Sequence, residues 1–220
     1  MPGERRRRIP ALLGLLLVSS CATPPRAVNP VLLAVAERRD ALVTSDALEA
    51  LIERGADTPA DREYAYQVIR AEEEDDAAYA FARAAVTGRL VQQRGLTGAR
   101  QVGEVERWAL RSRRLDPGFR DGAATRLLGT LYVIAPATFL KHGDSELGLE
   151  MLGQLVQEHP DVVENQLRLA EAYIALGDLD PAAPHLCVCL AHRAALRRDD
   201  QQLLDQLVTT AGTPDCDSPG

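Results

Sequence analysis

Aromatic residues are scarce: they make up 4% of the 220 residues, with a single Trp, Trp108. Alternating Val/Ile/Thr runs are missing, which excludes a sheet as the organising element, and Ala and Leu are strong helix formers. An all-α protein follows. At this length the chain buries a sizeable core within one domain. No glycine-rich phosphate loop, His-Glu-x-x-His or Gly-x-Ser-x-Gly is present, which removes the common nucleotide, zinc-protease and serine-hydrolase chemistries. Histidine is limited to four residues, His142, His159, His185 and His192. No enzymatic constellation emerges, and no cofactor is implied.

The longest apolar run, residues 9–18, is too short to span a bilayer as a helix. It follows Arg5–Arg8 and precedes Val18-Ser19-Ser20-Cys21. Basic run, apolar run and Cys in that order make a bacterial lipoprotein signal over residues 1–20, with Cys21 as the lipid attachment point. The alternatives are a plain secretory signal, cleaved elsewhere, and a cytosolic basic tail. Removing residues 1–20, with four Arg and one Glu, takes the formal charge from −7 to −10. So acidic a mature chain is a poor partner for nucleic acid. Residues 21–29 read as lipidated Cys and tether. The implied location is the periplasmic side of the cell envelope, and Ala22 after the Cys favours the outer membrane.

Residues 30–210 read as a helical domain. Asn29-Pro30 signals a helix start, with the first break placed at Thr44-Ser45-Asp46. Gly55 ends the next helix and Thr58-Pro59-Ala60-Asp61 opens another. Glu72–Asp76 reads as a solvated acidic face that also caps the following helix, rather than a cation site. Residues 77–117 form a degenerate helix pair in which Trp108 serves as a core anchor. Residues 118–160 and 161–195 form two clearer pairs, 197–207 a capping helix, and 211–220 a frayed tail.

The two clearer pairs share a skeleton. Leu128-Gly129-x-x-Tyr132 recurs as Leu169-Ala170-x-x-Tyr173, followed by Ala182, Leu186 and Cys189. This is the tetratricopeptide pattern, in which a small residue lets two helices touch and a Tyr fills the gap. A right-handed superhelix of antiparallel helix pairs is the predicted fold. The step from Tyr132 to Tyr173 is 41 residues, against about 34 for a standard repeat. The excess lies in residues 135–142, between the two helices of one pair, where solenoids often carry function. Candidate contact residues there are Tyr132, Pro136, Phe139 and His142. The alternative roles are repeat core for Tyr132 and helix stop for Pro136.

His185, Cys189 and His192 share a helix face, a weak metal set that reads better with Cys189 as a small buried hydrophobe. Cys187 projects away from Cys189. In an oxidising periplasm Cys216 can reach one of the two, leaving one thiol over, with three unpaired thiols as the alternative.

Leu128–Pro136 reads LGTLYVIAP and is followed by Gly143-Asp144. Over residues 115–180 the chain resembles the T-component lipoproteins associated with tripartite ATP-independent periplasmic (TRAP) transporters. It departs from them at Ala137, where that family often has Gly. The resemblance implies a non-enzymatic accessory protein that trimerises and docks a periplasmic solute-binding protein. It also implies a small hydrophobic ligand held within the body. A general tetratricopeptide scaffold in envelope assembly is the competing reading.

Overall fold

Local signals start the helices where the chain can satisfy their free N–H groups. The computed structural model describes residues 27–216; Cys21 and the signal segment lie outside the described residues. Helix α1 (Pro30–Ala36) is capped by Asn29, whose side chain accepts from Val31 N. Helix α2 (Ala41–Glu53) is capped by Asp40. Helix α3 (Pro59–Ala71) begins with a capping box between Thr58 and Asp61. Helix α4 (Ala77–Arg94) is capped by Asp76, the last residue of the acidic run. A 3-10 stretch leads into α5 (Val102–Leu115). Then come α6 (Ala123–Ile134), α7 (Ser145–Glu158), α8 (Val163–Leu176), α9 (Leu179–Ala191) and α10 (Arg198–Ala211).

The first break falls earlier than predicted. Thr44, Ser45 and Asp46 lie inside α2, and the chain turns at residues 37–40, where Arg39 takes φ 53°. The reason is local. Thr44 Oγ1 donates to Asp40 O at 2.9 Å, so its hydroxyl is satisfied within the helix, and both Thr44 and Ser45 are buried.

The helices pair antiparallel as α2/α3, α4/α5, α6/α7 and α8/α9, in a tetratricopeptide-like array. Helices α6 and α7 approach closely at Gly129. A Cβ there would come within 2.6 Å of Leu152 Cγ and 3.0 Å of Gly148 O, so only glycine admits α7. The core is divided among the pairs rather than central. One cluster joins α1 to α4 through Leu32, Leu48, Ile69 and Leu90. Another sets Leu128, Tyr132 and Met151 against Ala84 and Ala109. A third sets Leu152 against Leu169 and Ala172. The last packs Leu167, Leu186 and Cys189 under Leu204 and Leu207 of α10. Trp108 lies half-buried between the first two clusters, edge-on to Tyr79. It is the inter-helix anchor predicted.

The array also closes. The first helices of the pairs follow one another, α2 on α4, α4 on α6, α6 on α8. Capping helix α10 then packs on α8 and returns to α2. No helix among the described residues is long and apolar enough to cross a membrane.

Candidate functional site

Two features stand out: a pinned insertion between α6 and α7, and a charged network where the first helices converge.

The insertion begins where Pro136 follows α6. It includes a 3-10 turn at Ala137–Phe139 and ends at Asp144, the cap of α7. It is held from beneath by Glu106 of α5, which is fully buried. The Glu106 carboxylate accepts from Lys141 N at 3.0 Å and from His142 N at 2.8 Å. His142 Nδ1 lies 3.5 Å from the same carboxylate. Charge-assisted bonds from backbone N–H groups to a buried carboxylate are among the stronger protein hydrogen bonds.

The structure separates the four sequence candidates. Pro136, Phe139 and His142 are exposed on the insertion. Tyr132 is only 2% exposed and lies beneath it, in the repeat core. A partner cannot touch Tyr132, so its place among the contact residues is corrected: it fills the space under the loop. Gly143 packs on its ring so closely that a Cβ would stand 2.3 Å from Tyr132 Cε2. Burial, with the Glu106 carboxylate beside its hydroxyl, pushes the Tyr132 phenol up to about 12. Glu106 was not singled out from the sequence. Its signal was a carboxylate on the helix face of Val102, Val105 and Ala109, where the 3.6-residue period calls for an apolar residue. Beside the insertion, a groove of about 970 Å³ runs between α7 and α8, with Asp144, Leu147, Gln154 and Tyr173 in its lining.

The second feature draws on five helices. Arg89 of α4 grips Glu49 of α2 with two bonds of 2.7 and 2.6 Å, and also reaches Asp199 of α10 at 2.9 Å. Arg197, at the start of α10, donates to Glu49 at 2.8 Å across 148 residues of chain. Arg168 of α8 bonds Asp200 at 2.5 Å and Glu171 at 2.8 Å. Arg126 of α6 donates to Asn165 of α8 at 2.6 Å. Burial alone would raise the Glu49 carboxyl, but Arg89 and Arg197 outweigh it and hold it below the ordinary range. Asp199 is held down in the same way. Burial prevails at Asp200 and raises it. Burial likewise lowers Arg126, with Arg168 and Arg197 adding like charge. These residues form one cluster of linked ion pairs across the first helices of the array.

Among the described residues the cysteines form one bridge and one thiol. Cys187 of α9 pairs with Cys216, which ties residues 212–216, predicted as a frayed tail, back to α9. Cys189 is buried, and burial pushes its thiol up to about 12, far from a reactive thiolate. His185 Nδ1 lies 2.7 Å from Gln166 Oε1, and its ring stacks on Tyr173. Among the described residues no three His, Cys, Asp or Glu side chains are grouped so as to hold a metal.

Residues 139–186 match the tetratricopeptide repeat. The chain contains a tetratricopeptide repeat region. The match runs from Phe139 in the insertion through α7 and α8 to Leu186 in α9, and so takes in the groove and the second copy of the motif. No curated protein matches the chain.

Proposed function

We propose that this protein is a non-catalytic docking component of a TRAP-type solute uptake system, lipid-anchored through Cys21 on the periplasmic side of a bacterial envelope. Tetratricopeptide arrays are protein-interaction scaffolds. The observation that carries the reading is the insertion held on Glu106. Seven residues beyond a standard repeat would be an entropic burden if loose, yet buried hydrogen bonds hold Lys141 and His142 in place. A loop pinned in this way presents Pro136, Phe139 and His142 as a preformed contact, which lowers the ordering cost of binding. The partner is a periplasmic solute-binding protein, and the lipid confines the scaffold where that partner works.

The tetratricopeptide region supports a protein partner. The same region suits a second reading, a general scaffold in envelope assembly. The experiment is affinity capture of the tagged lipoprotein from detergent-solubilised native envelopes, followed by mass spectrometry. Recovery of a solute-binding protein, lost in the Phe139→Ala/His142→Ala double variant, supports the transport reading. Recovery of envelope-assembly proteins alone rejects it in favour of the second.

A further inference from the structure

The connections inside each helix pair fall along one edge of the array, and hydrogen bonds trace that edge. Asn29 N donates to Asp61 Oδ1 at 2.6 Å, placing the start of α1 at the α2–α3 connection. Arg94, at the end of α4, bonds Glu63 near the start of α3 at 2.6 Å. Glu106 near the start of α5 holds the insertion between α6 and α7. Asp144 and Leu147 share a groove with Tyr173, one turn before the α8–α9 turn.

Exposed large apolar residues gather on that edge. Leu96 is 93% exposed in the α4–α5 connection. Ile134 and Leu147 are 50% and 36% exposed on either side of the insertion, and Leu176 and Leu179 are 41% and 43% exposed at the α8–α9 turn. Leu115, 49% exposed, lies at the other end of α5. Scattered surface leucines need no explanation, but a row across successive connections does.

We propose that this apolar edge is the face the protein lays against a lipid bilayer. The inference rests on the lipoprotein reading of Cys21. Cys21 lies eight residues before Asn29, and eight extended residues reach at most about 28 Å. The anchor therefore leaves the body at this edge and holds it within one short span of the membrane. Loop-tip leucines at that distance partition into the interface by apolar burial. The acidic mature chain makes attraction to anionic headgroups an unsuitable alternative. The insertion stands on the same edge, so its partner docks at the membrane margin.

The test uses the full, acylated protein reconstituted in phosphatidylcholine vesicles whose acyl chains carry bromine, a contact quencher of tryptophan. Leu96→Trp, Leu179→Trp and Leu115→Trp are compared with the native Trp108 signal as baseline. All three positions are exposed, and circular dichroism verifies that each variant is folded. The expected result is at least about twofold quenching of the added Trp at positions 96 and 179, with little at 115. Equal quenching at all three positions, or none at 96 and 179, overturns the membrane face while leaving the docking function standing. Shielding at 96 and 179 that arises only on adding a solute-binding protein also overturns it, assigning the edge to that partner. A mass spectrum without acylated Cys21 overturns this inference and the lipoprotein reading together.

Discussion

Replacing Glu106 by Ala tests whether one buried carboxylate organises the insertion. Glu106 accepts from two backbone N–H groups, at 3.0 and 2.8 Å, in a fully buried position. Charge-assisted bonds of this kind contribute about 1.5–3 kcal/mol each, a gross loss of about 3–6 kcal/mol. Two effects offset it. Lys141 and His142 are exposed, so water can take over their N–H groups, and the variant no longer buries a charge. A net loss of about 2 kcal/mol remains, with the Gln variant losing roughly half because its amide oxygen still accepts. The loss should be concentrated in the loop. Native-state hydrogen exchange at the Lys141 and His142 amides is the assay, read beside urea unfolding of the whole chain. Protection at those two amides should fall by about tenfold or more, while amides in α2 keep theirs. Unchanged exchange at Lys141 and His142 would refute the pinning argument, whatever happened to global stability.

The other predictions use separate parts of the array. Gly129→Ala should destabilise by about 1–3 kcal/mol through overpacking, because the new Cβ meets Leu152 at 2.6 Å and the Gly148 carbonyl at 3.0 Å; urea unfolding with a loss under about 0.5 kcal/mol would show that α6 and α7 do not approach this closely. Cys216→Ser opens a bridge spanning 29 residues, which the chain-entropy estimate values at about 3–4 kcal/mol; faster exchange at Leu204 and Leu207 in α10 is the expected readout, and unaltered exchange there counts against the staple. Glu49 and Asp199 are held below their ordinary values by Arg89 and Arg197. Their stabilisation is therefore fully present above the unfolded-state values of about 4.3 and 3.9, and it is lost as pH falls through the lower folded values. Asp200, raised by burial, works in the opposite sense and offsets part of it. Urea unfolding from pH 7 to pH 3 should show declining stability below about pH 4, with a shallower slope in Arg89→Ala. An equal slope in that variant would mean the network does not set the acid response.

Much of the fold was legible because it depends on neighbours in the chain. Asn29-Pro30, the Thr58–Asp61 box and Asp76 cap helices through bonds spanning two or three residues, and such signals survive in sequence. The Leu128-Gly129-x-x-Tyr132 motif and its copy disclosed the pairing frame, since the close approach at Gly129 needs a small residue whatever else the chain does. Even the excess length between Tyr132 and Gly143 was countable, so the insertion could be located before its shape was known.

What the tertiary structure decided involves partners far apart in the chain. The break before α2 was misplaced because Thr44 and Ser45 look like helix breakers until the Thr44 hydroxyl finds Asp40 O and the fold buries both residues. Tyr132 became a support rather than a contact because α5 and α7 cover it. Glu106 gained its role from Lys141 and His142, 35 and 36 residues away. The choice of Cys187 over Cys189 for Cys216 depended on where α10 returns the tail. Closure of the array depended on Arg197 meeting Glu49 across 148 residues. Composition, caps and repeat spacing determined that this chain is a row of paired helices. Which charges meet when that row curls back on itself was decided by the accumulated packing angles of all the pairs, a quantity no single stretch of sequence carries.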